Sequence, residues 1–131
     1  MSTEVKTVPD TAPLWDGFKA RQLRLPWCLD CERAHLPPGP LCPFCLGERV
    51  EWRPASGDGK LVTWVVERRR WFAEFDPPYA VGHVELKEGP RLVVSLEMSD
   101  LNAFRGGVPG KVEFWDAPNG MTLPLFRPGS P

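Results

Sequence analysis

All four cysteines of this 131-residue chain lie between positions 28 and 45, in two Cys-x2-Cys pairs. The pairs are Cys28/Cys31 and Cys42/Cys45, and the ten residues between them include the turn-forming sequence LPPGP. Two such pairs joined by a loop can place four thiolates around one tetrahedral ion. The segment has few apolar residues for a core of its own, whereas a metal can contribute about 10–16 kcal/mol of coupled folding free energy. The spacing therefore predicts a structural four-cysteine zinc ribbon.

Two other uses of the four cysteines stay open. A rubredoxin-like iron centre has the same ligand set and would make the protein a coloured electron carrier. Two disulfides would require an oxidising compartment. The N-terminal sequence MSTEVKTVPD lacks the apolar stretch of a signal peptide, so we expect a cytoplasmic protein in which clustered cysteines hold a metal. Four thiolates leave no open coordination position, so we do not expect a catalytic zinc.

The region before the cysteines predicts one short helix. Leu14, Phe18 and Arg21 recur at helical spacing, and Thr11 is a plausible N-cap residue before Pro13. We therefore expect an amphipathic helix over about residues 12–21, preceded by a loosely held leader.

From residue 60 onward the pattern changes to that of β-strands. Five segments are rich in β-branched or alternating apolar residues and are separated by Gly- and Pro-containing turns: KLVTWVVERR, YAVGHVELK, PRLVVSLEM, GKVEFWD and MTLPLF. SDLNAF, between the third and fourth segments, predicts a helical turn with Ser99 or Asp100 as its cap. Five strands with this interruption fit an OB-fold barrel, although a small β-sandwich has the same periodicity.

These patterns divide the chain into three predicted parts within a mainly β fold. They are a leader and helix at residues 1–25, a rubredoxin-like ribbon at 26–50 and an OB-fold at 57–128, with the turn-rich RPASGDGK before the barrel. No apolar run approaches the roughly 20 residues of a membrane-spanning helix, so we expect no membrane association.

No catalytic set stands out in the sequence. Of the two histidines, His35 is predicted to lie on the ribbon surface and His83 to project from a strand face. Ser56 and Ser95 have no nucleophile motif around them. The chain is therefore predicted to be a binding module without enzymatic activity of its own.

The sequence ERRRWFAEF, at the end of the first long strand, is the most distinctive polar feature. Either it is a solvated strand end followed by core aromatics, or it faces a partner or ligand, because arginine and tryptophan are enriched at interfaces and arginine binds phosphate. The candidate contact residues here are Arg68, Arg69, Arg70, Trp71 and Phe72. The formal net charge of −1 argues against nucleic acid as a partner. A single-stranded nucleic-acid binder is still the alternative function, because ribbons and OB-folds both serve that role.

The order of motifs resembles a known family. The sequence contains LWDGFKARQLRLPWC, then LPPGPLCPFC, GDGKLVTWVV, PPYAVGHVELKEGPRLVVSLEM and finally LPLFRP, which together span about residues 12–128. This arrangement is similar to the family, long of unknown function, in which a rubredoxin-like zinc ribbon is fused to an OB-fold and accompanies thiolase-type enzymes. Members usually keep glycine directly after each Cys-x2-Cys pair, where this chain has Glu32 and Leu46. The turn RGGVPGKV also departs from the single glycine usual before the fourth strand.

The resemblance implies a non-catalytic accessory subunit that binds a thiolase-superfamily enzyme acting on acyl-CoA. Within that group we favour the partner of a steroid side-chain-cleaving retro-aldolase, in a heterotetramer of two plus two subunits. The partner would carry the catalytic residues, and a CoA thioester would be contacted, if at all, within the complex. The four cysteines match the family's zinc ligands. The N-terminal helix and the ribbon commonly form part of the docking surface, which makes Trp15 and Phe18 further candidates for partner contact.

Overall fold

The computed structural model describes residues 9–129, so most of the predicted leader lies outside the described residues. The elements follow one another as α1 (Ala12–Lys19), β1 (Arg24–Cys28), β2 (Val50–Pro54), β3 (Asp58–Glu67), β4 (Tyr79–Leu86), β5 (Arg91–Leu96), a 3-10 helix (Met98–Ala103), β6 (Pro109–Asp116) and β7 (Thr122–Pro128).

The predicted N-terminal helix is present. Its N-cap residue is Thr11, whose carbonyl accepts a hydrogen bond from Leu14 N at 3.0 Å, and a proline occupies the first turn. The helix ends at Lys19, earlier than expected, because Arg21 adopts a left-handed conformation with φ 57°. That conformation turns the chain toward β1.

The ribbon is held by a pair of strands that the sequence analysis did not predict. β1 and β2 pair in antiparallel register, from Arg24 opposite Pro54 to Cys28 opposite Val50. The chain leaves β1 at the first cysteine and returns at β2 after the second cysteine pair. The pairing thus holds the ends of the metal-binding segment together.

The remaining strands close into a five-stranded barrel in the order β3-β4-β5-β7-β6, and β6 pairs back with β3. All pairs are antiparallel except β5 with β7. This is the predicted OB-fold, with the 3-10 helix between the third and fourth strands of the barrel. The expected cap of that helix was wrong: the N-cap is Glu97, which is extended and whose carbonyl accepts from Asp100 N at 2.9 Å.

One continuous core joins the helix, the ribbon and the barrel. Leu14 and Phe18 of α1 and Leu25 of β1 belong to the same buried cluster as Leu61 and Phe126 of the barrel. Phe18 is 2% exposed, and its ring lies 5.7 Å from that of Phe114 on β6. The ribbon is therefore anchored on the barrel through its own strand and through the helix that precedes it.

Across residues 9–129, no helix has the length and apolar character needed to span a lipid bilayer.

Candidate metal centre and apolar groove

The four cysteines converge on one point. Their sulfur atoms all lie within 4.8 Å of one another, with Cys28 Sγ 3.5 Å from Cys45 Sγ and Cys31 Sγ 3.6 Å from Cys42 Sγ. All four are free thiols, and a disulfide would need a sulfur–sulfur distance of ~2.05 Å. A tetrahedral zinc with bonds of about 2.3 Å to sulfur requires sulfur–sulfur distances of roughly 3.8 Å. The donor type, the number of donors and their spacing thus fit a closed structural zinc site.

The two cysteine pairs are built as matching turns. Glu32 N donates to the Cys28 carbonyl at 2.9 Å, and Leu46 N donates to the Cys42 carbonyl at 2.8 Å. In the second turn, Phe44 N also points at Cys42 Sγ, at 3.4 Å. A backbone N–H group of this kind stabilises a thiolate, so the second turn both positions the Cys42 sulfur and favours its ionised form.

Glu32 and Leu46 occupy left-handed backbone conformations, with φ 58° and 62°. These are the two positions where the resemblance described above implies glycine, which adopts positive φ without a steric penalty. The chain therefore keeps the turn geometry with non-glycine residues. Gly47, one residue later, meets a different demand: a Cβ there would lie 2.5 Å from Asp30 Oδ2 and 3.2 Å from Cys45 Sγ.

The thiols of this centre do not ionise independently. Burial, followed by hydrogen bonds with the other sulfurs, raises the pKa of Cys31 to about 12. Burial opposes ionisation of Cys42, but hydrogen bonds from the backbone N–H groups of Cys45 and Phe44 and from the Cys31 and Cys28 thiols together outweigh it and lower the pKa of that thiol to about 7. The Cys42 thiol therefore ionises near neutral pH, whereas ionisation of Cys31 is opposed. A bound cation removes that resistance, because it stabilises all the thiolates together.

A large apolar groove lies along one side of the barrel. It encloses about 860 Å³ between α1, the ribbon loop at Leu36–Pro38, the outer surface of β4, β5 and β7, and the segment that connects β3 to β4. Val93 of β5 lines it and is 55% exposed. A volume of this size lies within the ~300–1,000 Å³ range of ligand sites. The lining could equally cover an apolar segment of another protein.

The structure brings some of the sequence-predicted contact residues to this groove. Trp15 and Phe18 line it from α1, and Phe72 lines it from the β3–β4 segment. Phe18 is almost fully buried and contacts Trp15 ring to edge at 5.3 Å, so it supports the groove wall from beneath.

The arginine-rich part of the same segment lies outside the groove lining. Arg68, Arg69 and Arg70 are all exposed, and Arg70 forms an ion pair with Asp76 at 2.7 Å. Arg69 stacks over Trp71, which is 53% exposed, at 4.9 Å from the ring centre. Arg69 and Trp71 thus form one exposed cation–aromatic pair beside the groove.

The β5 wall of the groove was missed by the sequence analysis. A strand with one buried face alternates, but Leu92, Val93 and Val94 are consecutive apolar residues. Leu92 and Val94 are buried in the barrel, which leaves Val93 on the outer face. The break in alternation was the signal that the outer face of this strand is also apolar.

The two histidines differ in environment. His83 is exposed on β4, in agreement with the predicted strand-face position. The prediction that His35 lies on the ribbon surface was wrong: it is 2% exposed. His35 N donates to the Pro26 carbonyl at 3.1 Å, so β1 holds the loop inward and takes the side chain into the protein. Burial lowers the pKa of His35, which keeps its imidazole neutral at neutral pH.

Comparison with known families and structures accounts for both halves of the molecule. The family model for the ChsH2 rubredoxin-like zinc ribbon domain matches residues 15–51, and that for the ChsH2 C-terminal OB-fold domain matches residues 52–114. The solved structure of the Ltp2-ChsH2(DUF35) aldolase contains a chain that is 32% identical, with a TM-score of 0.86 over 95% of this chain and 98% of that one. The chain belongs to this ChsH2-type zinc-ribbon and OB-fold family.

Curated relatives carry related domains within longer proteins. The chain is 34% identical over 122 residues to a probable enoyl-CoA hydratase alpha subunit from Thermomonospora curvata, and 30% identical over 110 residues to the 3-oxo-4,17-pregnadiene-20-carboxyl-CoA hydratase alpha subunit from Mycobacterium tuberculosis. It is 38% identical over 74 residues to a DUF35 domain-containing scaffold protein from Pyrococcus furiosus. These matches cover 93%, 84% and 54% of this chain, but only 38%, 35% and 53% of the respective relatives. The chain thus spans about a third to a half of the length of these relatives.

Proposed function

We propose that this chain is a non-catalytic accessory subunit that binds a thiolase-superfamily enzyme acting on acyl-CoA. The observation that carries the proposal is its similarity, along nearly its whole length, to the ChsH2(DUF35) chain of an aldolase that also contains Ltp2. The name of the Pyrococcus furiosus relative, a scaffold protein, supports a role in assembly over one in catalysis. The catalytic residues would belong to the partner.

The exposed apolar surface supports the same proposal. Outside the groove lining, the ribbon turns expose Leu41, Phe44 and Leu46 at 42%, 55% and 70%. Exposed apolar side chains and an apolar groove are typical of surfaces that another molecule covers. We propose that the groove, through Trp15 and Phe72, contacts the partner, and that Cys28, Cys31, Cys42 and Cys45 hold a structural zinc that keeps the ribbon in shape beside it.

Within this class we propose a steroid side-chain-cleaving retro-aldolase complex in the cytoplasm, assembled as two plus two subunits. The Mycobacterium tuberculosis relative is named for a pregnadiene-carboxyl-CoA substrate, and the similar solved structure is an aldolase. The hydratase names belong to proteins of which this chain spans only 38% and 35%, so hydratase activity is not part of the proposal.

The test is to tag the chain, purify it gently from its native host, and determine the mass and composition of the complex by native mass spectrometry. We expect a thiolase-family protein at near-equal amount and a mass equal to two copies of each chain. The isolated chain should show no aldolase or thiolase turnover, and the complex should show it. Turnover by the chain alone, or recovery with nucleic acid and salt-dependent oligonucleotide binding, would overturn the proposal.

A further inference from the structure

Half of one edge of β5 (Arg91–Leu96) has no neighbouring strand. On one side β5 pairs with β4 along its whole length. On the other side, within the part of the chain that the structure describes, only Ser95 and Leu96 pair with β7. Val93 of β5 and Leu123 of β7 both line the apolar groove, so the gap between the two strands opens into it.

The alternation of the β4–β5 ladder shows which backbone groups face this gap. Leu86 N donates to the carbonyl of Pro90, the residue opposite it, at 2.9 Å. In an antiparallel ladder, hydrogen-bonded pairs alternate with pairs whose N–H and C=O groups point away from the partner strand. Arg91 and Val93 therefore direct their backbone groups away from β4 and toward the gap. Ser95, the next residue of this alternation, faces β7 in the same direction and pairs with it.

A proline in β7 explains why the ladder stops before Val93. Leu125 lies opposite Ser95, so the same register would place Leu123 opposite Val93. The Val93 carbonyl would then need to accept from the backbone N–H of residue 124, which is Pro124 and has none. β7 therefore cannot complete the ladder at Val93. Among the described residues, no hydrogen bond outside the ladders uses the Val93 backbone.

The chemistry of the gap favours one kind of occupant. An acyl chain could fill an apolar groove but offers nothing to the backbone N–H and C=O of Val93, whereas an extended polypeptide pairs with both. The Val93 side chain is 55% exposed on the outer face of β5, and Trp15 and Pro37 also line the groove. Because the side chains of a strand alternate between its faces, an incoming strand would need apolar residues at every second position to cover this surface.

The charge at the start of β5 adds a further constraint. Arg91 lines the groove, is exposed, and forms no ion pair with another described residue. Opposite charges on directly opposed residues stabilise a strand pair. An acidic residue opposite Arg91 would therefore complement this end of the gap.

We propose that an extended segment of the partner polypeptide adds to β5 as an additional strand, pairing its main chain with Arg91 and Val93. The segment has apolar residues at alternate positions and an acidic residue opposite Arg91. This inference rests on the proposed function for the identity of the partner. It adds the mode of binding, which is main-chain pairing as well as apolar contact.

The first measurement uses the zinc-loaded, ¹⁵N-labelled chain alone and follows hydrogen exchange of single backbone amides by NMR. The Val93 amide should exchange at least tenfold faster than those of Leu92 and Val94, because only its N–H faces the gap. The two neighbours are the internal control, since they lie in the same strand with their N–H groups toward β4. A Val93 amide as protected as its neighbours would mean that the edge is closed and would overturn the proposal. Protection that rises with chain concentration would assign the edge to a second copy and also overturn it.

The second measurement compares how tightly Val93→Pro and Val93→Ala bind the co-purified partner. Proline keeps an apolar side chain and removes only the N–H that faces the gap, and it is tolerated at such edge positions. Alanine keeps the N–H and removes most of the side chain. We expect Val93→Pro to bind at least tenfold more weakly than Val93→Ala.

Thermal unfolding of each variant shows whether it is folded. If Val93→Pro is not, Arg91→Pro takes its place, because Arg91 is the first residue of the strand, where proline is also tolerated. Arg91→Ala is its control, and Arg91→Glu should weaken binding more than Arg91→Ala does.

The outcomes separate this inference from the proposed function. Equal binding by the proline and alanine variants would mean that side-chain packing holds the partner without main-chain pairing. That result overturns the added strand and leaves the accessory-subunit proposal in place. Recovery of the chain without any thiolase-family protein overturns both.

Discussion

At the scale of single residues, the metal centre depends on backbone conformations that the chain satisfies at a cost. Glu32 and Leu46 follow the two cysteine pairs and have positive φ values. For L-amino acids the left-handed conformation costs roughly 1–2 kcal/mol. Leu46 is 70% exposed, so its side chain recovers little of that cost through packing.

We therefore expect Leu46→Gly to raise the free energy of unfolding by about 0.5–1 kcal/mol, because glycine relieves the left-handed conformation but makes the unfolded chain more flexible. Denaturant unfolding of the zinc-loaded protein measures the change. Leu41→Gly is the matched control, because Leu41 is an exposed leucine of the same ribbon outside the positive-φ positions. Leu41→Gly should lower the free energy of unfolding by about 0.5–1 kcal/mol, because glycine makes the unfolded chain more flexible and relieves no strain at this position. Equal destabilisation of both variants would contradict the explanation.

The second prediction at this scale concerns the ligands themselves. Cys42→Ser should reduce bound zinc from one per chain to well below one and lower the melting temperature, because a hydroxyl replaces a buried soft ligand and metal binding is coupled to folding of the ribbon. Elemental analysis measures the bound zinc, and thermal unfolding measures the melting temperature. Leu41→Ser is the control, because Leu41 is the exposed residue next to Cys42. If the purified protein is coloured and contains one iron per chain, the zinc interpretation is wrong and the rubredoxin-like alternative is correct.

At the scale of elements, α1 and the turn after it connect to β6 of the barrel through an aromatic contact and an ion pair. Phe18 is buried against Phe114 of β6. Just beyond the helix, Arg21 donates to the Phe114 carbonyl at 2.8 Å and pairs with Asp116, also at 2.8 Å. The two contacts differ in kind, because the aromatic contact is buried and Asp116 is 74% exposed.

We expect Phe18→Ala to lower the free energy of unfolding by about 3–5 kcal/mol, the range for removing a buried phenylalanine. Asp116→Asn should cost no more than about 1 kcal/mol, because solvent screens an exposed ion pair. Urea unfolding of the zinc-loaded chain compares the two variants. A small effect of Phe18→Ala would mean that the helix is not anchored by this side chain.

At the scale of the whole molecule, the groove combines surfaces from the helix, the ribbon loop and the barrel, and partner binding should depend on it. Val93→Asp should weaken assembly with the co-purified partner at least tenfold, because a carboxylate would be buried in an apolar interface. Val65→Asp is the control: Val65 is a strand valine with 62% exposure outside the groove lining. The affinity of each immobilised variant for the partner, compared with that of the unchanged chain, distinguishes the two substitutions. Equal weakening by both variants would place the interface elsewhere.

The parts of the structure that could be predicted are those set by local pattern. The spacing of Cys28, Cys31, Cys42 and Cys45 indicated their convergence, and turn residues together with alternating strands indicated the OB-fold. The N-cap residue Thr11 was also correct, because capping depends on a few neighbouring residues. The 3-10 helix was predicted in place but its cap was not, since Ser99 and Asp100 have suitable side chains whereas Glu97 has the extended backbone.

The prediction that failed for His35 depended on contacts between different parts of the fold. His35 was expected on the surface because the ribbon was considered alone, but the chain around it is held inward by β1. Arg68, Arg69 and Arg70 are the predicted contact residues of the β3–β4 segment; all three are exposed, with Arg70 paired to Asp76 and Arg69 stacked on Trp71. Their roles in binding, and that of Phe18, stay predictions.

The sequence by itself determined the grouping of four cysteines suited to a metal, the succession of helix, ribbon and barrel, and the family to which the chain belongs. These follow from residue type at short spacing, where the physics is local: thiolate geometry, helical capping and strand alternation. Only the tertiary structure decided that α1, the ribbon loop and the outer face of β5 enclose one groove, and that half of the β5 edge lies open within it. Both features are formed by the packing of segments far apart in the chain, which no local pattern specifies.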